Sequence, residues 1–389
     1  MTPPFVRFRN VRLRRNAWGG LRDFSLDVSR GEFVTLLGPA GSGATAALML
    51  LAGFCEAKGE VALNGRLLAR TPPHRRGIGA VFAADPPLPA RSVAEAIGFP
   101  LLARGVRRRG RRARVAEMLA AVDLGESAAR RPEALPPVQR RRCLLGRALV
   151  FGPRLLLLDG FFRGLAAEER AGLAATLRRL HVALGLTVVQ ACVDPAEALA
   201  LSDRVAILED GALVQAGTPD VLYEAPASAA AACALGEVNR LPGVLVGTDE
   251  DVSDVRLDCG PVVQAVLQQE TAPGAGVEVV APGARVEVVA SGARVEVVAP
   301  GARVEVVVRP ERVAVAAIPA DEMGGHAIPA VLREIRHCGD HLRLALRLGE
   351  AGEIVVRRPA IAGLAGLAPG APVSLAWQPG HARAFGETA

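Results

Sequence analysis

The sequence predicts an α/β domain with an inserted helical subdomain, followed by a smaller all-β domain. Short apolar strands alternate with helical patterns up to about residue 235, and a glycine-rich loop joins one of these strands to a helix. After about residue 236 the helical patterns stop, and alternating strands such as Arg285–Val289 begin. We therefore expect two domains, at residues 1–235 and 236–389.

The strand candidates of the first domain are short apolar runs of the kind that a parallel sheet buries on both faces. Gly31–Leu37 has this pattern, and Thr45–Leu51 after it has a helical pattern. The other strand candidates are Leu155–Asp159, Leu186–Val189 and Arg204–Leu208. Residues of about 91–147 are mostly helical in pattern, with an interruption at Pro136–Pro137, and form the predicted helical subdomain.

The composition excludes several classes of protein. Apolar residues make up 50% of the 389 and charged residues 22%, so the chain is not disordered throughout. No run reaches about 18 uninterrupted apolar residues, so we expect no membrane-spanning helix. The start, MTPPFVRFRN, lacks an apolar segment, so we expect no signal peptide. The cysteines are scattered without a CxxC pair, which fits free thiols in a reducing compartment and argues against a zinc site.

The net charge of +6 comes almost entirely from arginine, which is dense between Arg104 and Arg114 and again at Arg140–Arg142. Such clusters are compatible with a nucleic acid or an anionic membrane as partner. Aromatic residues make up only 4% and none lies among these arginines, so bases have no platform to stack on. We expect no nucleic-acid partner, and the plainer interpretation is a solvated helix face.

A near match to the phosphate-binding pattern G-x-x-x-x-G-K-[ST] lies between the first strand and the first helix described above. The glycines let the backbone wrap round phosphates with its N–H groups inward, and the helix N-terminus adds a favourable dipole. Ala44 stands where the pattern has lysine, and the Thr45 hydroxyl can hold Mg²⁺. The alternative is a tight turn without a ligand. The loop consists of Gly38, Pro39, Ala40, Gly41, Ser42, Gly43, Ala44 and Thr45.

Four near-identical nine-residue repeats lie in the second domain, at 272–280, 281–289, 290–298 and 299–307. Each copy joins a Pro-Gly or Ser-Gly turn signal to a five-residue strand pattern, and nine residues is shorter than the usual helical solenoid repeats. The repeats form either an extended binding surface or a neutral expansion of one hairpin.

Several segments of the first domain have a pattern in common with a known family. They are FSLDVSRGEFVTLLGPAGSG (24–43), LLAGF (50–54), VAEAIGFPL (93–101), RRARVAEMLAAVDL (111–124), RALV (147–150), LLLLD (155–159), LGLTVV (184–189), EALALSDRVAIL (197–208) and DGALVQAGTPDVLYEAP (210–226). NRLPG (239–243), VRPERV (308–313) and PGAPVSLAWQPGHARAF (369–385) extend the likeness into the second domain. From about Val6 to Phe385 the chain resembles the ATP-binding subunits of ABC transporters, in particular importer subunits with a C-terminal regulatory β domain.

The resemblance implies a P-loop NTPase-type nucleotide-binding domain followed by an OB-like, TOBE-type β domain. It implies ATP and Mg²⁺ as cofactors, with Thr45 and Asp159 on the side of the metal. It also implies membrane permease subunits and a second nucleotide-binding subunit as partners, with a solute-binding protein acting indirectly. The chain would then lie in the cytoplasm at the inner face of the cell membrane. Relatives of this domain plan import polyamines, iron or sulfate, and a polyamine or ferric iron is our expectation.

The chain departs from the family's pattern at the positions that do the chemistry. The resemblance places the phosphate-binding lysine at Ala44, the Q-loop glutamine at Ala83, the catalytic glutamate at Gly160, the D-loop aspartate at Ala166 and the switch histidine at Val193. The LSGGQ signature reads Leu135-Pro136-Pro137-Val138-Gln139. The tyrosine that stacks on adenine corresponds to Arg15, with Trp18 close enough to substitute.

These losses favour a pseudoenzyme, because Gly160 and Val193 stand in place of both groups that would position water for hydrolysis.

Three hypotheses follow. The first is an importer subunit that binds ATP weakly and has impaired or absent hydrolysis. The second is a non-catalytic regulatory or ligand-sensing protein on the same fold. The third is an active ATPase that uses unorthodox residues, with Arg140–Arg142 as candidates for the missing positive charge.

Overall fold

Parallel strands form the centre of the first part of the chain, and antiparallel strands form the second part. The structure, a computed structural model, describes residues 3–82, 90–249, 252–268, 299–317, 327–349, 352–360 and 367–386. By contacts the chain divides into two units, Met1–Pro219 and Asp220–Ala389. The first is α/β and the second is mainly β, which confirms the predicted fold class.

The elements of the first unit alternate in type along most of its length. In chain order they are β1 (Val6–Asn16), β2 (Gly19–Val28), β3 (Phe33–Leu37), α1 (Ala44–Ala52), β4 (Lys58–Leu63), β5 (Arg66–Leu67), β6 (Ile78–Phe82), α2 (Val93–Ala103), α3 (Arg108–Ala121), α4 (Pro137–Leu149), β7 (Leu155–Asp159), α5 (Ala167–Leu184), β8 (Thr187–Cys192), α6 (Pro195–Leu201), β9 (Arg204–Glu209) and β10 (Ala212–Gly217). The strand and helix candidates of the sequence analysis are present here within a few residues of their expected ends.

The central sheet has the strand order β10-β9-β3-β8-β7-β6. Its neighbours pair in parallel from β9 to β6, and β10 pairs with β9 antiparallel at the edge. β3 is buried along its whole length, as is β8, because helices and a second sheet cover the two faces. A parallel order of this kind brings the loops that follow β3, β7 and β8 to one edge.

Two apolar cores hold these layers together. On one face, Phe8 and Phe24 of the antiparallel sheet β2-β1-β4-β5 pack with Leu48 and Leu51 of α1. On the other face, α2, α4 and α5 pack against the central sheet through residues such as Ile97. Burial of one large apolar side chain is worth roughly 1.5–3 kcal/mol, so these cores fix the position of the strands that lead into the loops.

The second unit contains two short helices and antiparallel β structure. Its elements are α7 (Pro219–Glu224), which begins at the boundary, α8 (Ala229–Ala234), β11 (Asn239–Asp249), β12 (Val252–Leu257), β13 (Val262–Gln268), β14 (Arg303–Val308), β15 (Ala314–Ala316), β16 (Ile328–His337), β17 (His341–Leu348), β18 (Gly352–Pro359), β19 (Pro372–Ala376) and β20 (Ala382–Gly386). α7 and α8 thus belong with the β structure, whereas the sequence analysis placed them at the end of the first domain.

The strands of the second unit form a closed barrel and a neighbouring sheet. The barrel order is β11-β12-β13-β20-β14, and the sheet order is β15-β19-β16-β17-β18. The Asn239 side chain links the two, because its amide donates to the Val355 carbonyl at 2.8 Å while its oxygen accepts from the Val355 N–H at 2.7 Å. One apolar core runs through both sheets.

The last nine-residue repeat, 299–307, supplies most of strand β14. Val304 and Val306 are buried in the barrel, while Arg303 is exposed and Glu305 is half-buried, which is the alternation that the repeat pattern predicts. The first three copies lie outside the described residues.

In the part of the chain that the structure describes, none of the helices combines the length and the apolar character needed to cross a membrane.

Candidate functional site

The loops after β3, β7 and β8 meet at the carboxyl edge of the central sheet. β3 and β8 are neighbours with Leu37 beside Cys192, and β8 and β7 are neighbours with Ala191 beside Asp159. In open parallel sheets, ligands bind in the crevice outside the carboxyl ends of the strands. The glycine loop follows β3, so the topology places it beside the ends of β7 and β8.

Close backbone contacts explain why this loop needs glycine. The Gly38 N–H donates to the Cys192 carbonyl at 3.2 Å, and a Cβ at Gly38 would lie 2.3 Å from the Leu208 carbonyl oxygen. Gly43 has a φ of +100°, a conformation that side chains rarely adopt, and a Cβ there would lie 2.5 Å from the Gly20 carbonyl oxygen. The loop is thus tightly enclosed on its sheet side.

A recess of about 420 Å³ opens at this edge. It brings together most of the residues predicted from the sequence. Its walls include Gly38, Pro39, Ala40, Gly41, Ser42, Ala44, Thr45, Asp159, Gly160 and Val193. Gly43, the N-cap of α1, is not part of this wall, and neither is Ala166, which lies just before α5. Ala83 falls outside the described residues.

The donors and acceptors in the recess fit a phosphate group with Mg²⁺. Ser42 is 3% exposed, and its hydroxyl is buried without a hydrogen bond to any residue in the described ranges. Such a group is expensive to leave unsatisfied, and a phosphate oxygen would satisfy it. The Thr45 hydroxyl donates to Asp159 Oδ1 at 3.2 Å. These two oxygen ligands suit Mg²⁺, which keeps several waters and takes its other ligands from substrate phosphates.

Burial raises the pKa of the Asp159 carboxyl above its ordinary value. The hydrogen bond from Thr45 and the positive charge of Arg163 act in the opposite direction and offset part of this effect. A bound cation would favour the ionised form of this carboxylate by the same Coulombic effect as Arg163.

Three of the positions that the resemblance assigned to chemistry line the recess, and none of them has an ionisable side chain. Ala44 is buried as the first residue of α1 and presents a methyl group. Gly160 follows β7, with a φ of +57°, and Val193 follows β8 and is 52% exposed. The described walls of the recess therefore hold neither a lysine nor a histidine.

Trp18, rather than Arg15, shares the recess with the glycine loop. Trp18 is partly exposed there, and its backbone N–H donates to Asn16 Oδ1 at 2.8 Å. Arg15 lines a neighbouring recess with Arg22. Of the two residues that the resemblance suggested for the adenine platform, the tryptophan lines this recess, and the arginine lines the neighbouring one, which Gly41 also borders.

The segment in the signature position starts helix α4. Pro136 is the N-cap and Pro137 the first helical residue, where a missing N–H interrupts no helical hydrogen bond. The helix therefore forms, although Pro137 leaves its first turn with one N–H donor fewer. Of the arginines that follow, Arg141 donates at 3.4 Å to the carbonyl of Arg163, a residue of the recess wall, and the other two are held by residues outside that wall. Arg140 Nε donates to the Leu135 carbonyl at 2.9 Å and Arg142 Nη1 to Asp123 at 2.7 Å.

Several residues of the recess escaped the sequence analysis. They are Arg163, Arg170, Cys192, Asp194 and Glu197. Arg170 pairs with Asp194 at 2.7 Å, and Glu197 accepts a hydrogen bond from Gln190. Burial raises the pKa of Glu197, and burial together with the nearby Glu197 carboxylate raises the pKa of the Cys192 thiol to about 12. Only nearness to a strand end could have indicated some of them: Arg163 follows β7 by four residues, Asp194 and Glu197 follow β8 by two and five, and Cys192 ends β8, whereas Arg170 lies further on, in α5.

Models of two protein families match the chain. The model described as ABC transporter matches residues 21–162, and the model described as TOBE domain matches residues 306–385. The first range includes the glycine loop and Asp159, and the second lies within the β structure of the second unit.

Curated relatives agree with both matches. The chain is 35% identical to a spermidine/putrescine import ATP-binding protein of Rubrobacter xylanophilus, over 99% of this chain and 94% of the relative. It is 38% identical to a sulfate/thiosulfate import ATP-binding protein of Xanthomonas campestris, over 69% of this chain and 82% of the relative. It is 35% identical to an Fe(3+) ions import ATP-binding protein of Rhizobium etli, over 66% of this chain and 72% of the relative.

Proposed function

The chain belongs to the ATP-binding subunits of ABC importers, and we propose that within this family it binds Mg·ATP weakly and has impaired or absent ATP hydrolysis. The observation on which this proposal rests is that the phosphate-binding loop is intact around Ser42 and Thr45, whereas Ala44, Gly160 and Val193 line the same recess.

Binding is supported by the groups that remain. The loop keeps its backbone N–H groups at the N-terminus of α1, where the helix dipole favours an anion. The buried Ser42 hydroxyl and the Thr45–Asp159 pair add side-chain groups that a phosphate with Mg²⁺ would use. When bound, the nucleotide would supply the phosphate anhydride and the metal would neutralise its charge.

The low affinity for Mg·ATP that we propose follows from Ala44, which stands where the family has lysine. A lysine in this position would form a hydrogen bond to a charged group, which is worth roughly 1.5–3 kcal/mol. Its loss corresponds to about a tenfold to hundredfold lower affinity. Ala44→Lys should therefore strengthen ATP binding without restoring turnover.

Loss of hydrolysis follows from Gly160 and Val193, neither of which can accept a proton from water or orient it. Removal of one electrostatic catalytic group commonly slows an enzyme by about 10²–10³. The effects of several such losses need not add, because the groups act as a unit. Arg140 and Arg142 do not replace them, since both are held by Leu135 and Asp123 outside the recess.

The partners and the solute follow from the family. We propose that the chain acts at the inner face of the cell membrane, bound to permease subunits and to a second nucleotide-binding subunit, with a solute-binding protein acting indirectly. A polyamine is the solute that we favour over ferric iron, because the relative that aligns over 99% of the chain is named for spermidine/putrescine import. Spermidine uptake by cells with and without the chain tests this assignment, and unchanged spermidine uptake with reduced ferric iron uptake would reverse it.

Phosphate release by the purified chain, alone and with its permease, is the test of the catalytic proposal. We expect no release above that of Asp159→Asn, which serves as the blank. The repairs are added one set after another. A variant with Ala44→Lys, and then also Gly160→Glu and Val193→His, should still release no phosphate above the blank. Release should appear only when Pro136→Ser, Pro137→Gly and Val138→Gly also restore the signature. Turnover in the wild type that disappears in Asp159→Asn would show that other residues have taken over the missing roles.

The second candidate function is a non-catalytic regulatory or ligand-sensing protein. It gains support if calorimetry detects no Mg·ATP binding at millimolar concentration, or if no permease and solute-binding protein are encoded beside the chain. Weak but saturable Mg·ATP binding would favour the importer subunit.

A further inference from the structure

The recess holds two arginines, and they differ in what surrounds them. Arg170 lies in α5 and forms an ion pair with Asp194 at 2.7 Å. The same Asp194 caps α6, since its Oδ1 accepts from the Ala196 N–H at 3.0 Å. The charge of Arg170 is thus balanced by a carboxylate that the fold keeps in place.

Arg163 has a fixed backbone and an unpaired side chain. It lies in the turn between β7 and α5, where its N–H donates to the Gly160 carbonyl at 3.1 Å and its own carbonyl accepts from Arg141 at 3.4 Å. Its side chain is exposed in the recess, and in the described ranges its guanidinium has neither a hydrogen bond nor an ion pair. A cation in this state is available to a ligand.

The charge of Arg163 acts on the place where phosphates and Mg²⁺ would lie. Its side chain lines the same recess as Ser42, Thr45 and Asp159, the residues that fit a phosphate with Mg²⁺. The remaining carboxylate of the recess, Glu197, is hydrogen-bonded by Gln190, and burial favours its neutral form. Among the described residues, the recess therefore contains one arginine that forms an ion pair with a carboxylate, Arg170, and one that forms none, Arg163.

We propose that Arg163 supplies the positive charge for the phosphate tail of a nucleoside triphosphate that the lysine missing at position 44 would otherwise supply. This inference rests on the proposed function, because it assumes that the recess binds a nucleotide. A guanidinium suits the task, since its planar donors bind phosphate oxygens in pairs and it stays charged at any physiological pH. It reaches the recess from the turn after β7, whereas the lysine would come from α1.

Calorimetric titration of the full chain with Mg·ATP and with AMP tests this assignment. Arg163→Gln should weaken Mg·ATP binding about tenfold and leave AMP binding nearly unchanged, because AMP lacks the β- and γ-phosphates. Arg163→Lys keeps the charge and should retain most of the affinity. Arg114→Gln removes the same charge from the exposed face of α3, outside the recess, and should bind Mg·ATP as the wild type does.

The double variant Ala44→Lys/Arg163→Gln separates a loss of charge from an effect on folding. If the two cations have the same task, Ala44→Lys should improve Mg·ATP affinity more in Arg163→Gln than in the wild type. Equal improvement in both backgrounds, or wild-type affinity in Arg163→Gln, would overturn the inference while the proposed function stands. A wild-type chain that binds neither Mg·ATP nor AMP at millimolar concentration would instead overturn the proposed function. Arg163→Gln that loses ATP and AMP binding together would indicate a structural role and also contradict the inference.

Discussion

Gly160, where the resemblance places the catalytic glutamate, has a backbone φ of +57°. Its N–H donates to the Ala191 carbonyl at 3.2 Å, which ties the turn after β7 to β8. A left-handed conformation costs a residue with a side chain roughly 1–2 kcal/mol, and asparagine tolerates it better than glutamate. The backbone of this turn is therefore adapted to glycine.

We predict that Gly160→Glu lowers the free energy of unfolding by about 1 kcal/mol, and that Gly160→Asn lowers it by clearly less. Urea denaturation of the two variants beside the wild type measures this. Equal losses would show that the size of the side chain, and not the backbone conformation, determines the effect. The result also bears on the repair series, because a glutamate restored at this position would add strain to the turn.

The residues of the site differ in how far the sequence could predict them. The glycine loop was predictable because its spacing and the strand and helix beside it nearly match a phosphate-binding pattern, and Asp159 was predictable from the family resemblance. Arg163 and Glu197 were not, because an arginine in a turn and a glutamate in a helix have the composition of ordinary surface positions. Only the strand order β3-β8-β7 places their loops together, and a sequence pattern does not contain that order.

At the scale of elements, local signals predicted the helices well and their boundaries less well. Helix α2 shows what the local signal is. The Ser92 hydroxyl accepts from the Glu95 N–H at 3.2 Å, and the Glu95 carboxylate accepts from the Arg91 N–H at 2.8 Å. These two contacts satisfy donors that the start of a helix leaves unpaired. The cap fixes where α2 begins, and so positions Ile97 in the core.

We predict that Ser92→Ala destabilises the first domain by about 1 kcal/mol, the usual effect of losing an N-cap. Ser92→Asp keeps an oxygen acceptor and should retain most of the stability. Amide hydrogen exchange in the first turn of α2 reports the effect directly, with faster exchange expected in the alanine variant. Similar exchange in both variants would mean that the cap contributes little.

At the scale of the whole molecule, the nine-residue repeats raise the question of which copies the fold requires. The change of pattern near residue 236 predicted a β domain, and the copy at 299–307 is part of its barrel as β14. The sequence could not distinguish this copy from the others, because the four are nearly identical and only pairing with β11 and β20 sets it apart.

The pairing of β13 and β14 with β20 shows that the chain could still connect these two strands without the first three copies of the repeat. Gln268 at the end of β13 and Glu305 in β14 both lie opposite Phe385, on the two sides of β20. Neighbouring strands are about 4.8 Å apart, so these two residues are separated by roughly 10 Å. After deletion of 272–298, residues 269–271 and 299–304 still join them. An extended chain rises about 3.3 Å per residue, so this linker is long enough.

We therefore predict that deletion of 272–298 leaves the protein folded and lowers its melting temperature by only a few degrees. Deletion of 272–307 is the control, because it also removes the strand that buries Val304 and Val306, and this protein should fail to form the barrel. Circular dichroism and thermal melting of both proteins measure the difference. If the shorter deletion also prevented folding, the first three copies would be part of the core, and a neutral expansion of one hairpin would be the wrong interpretation.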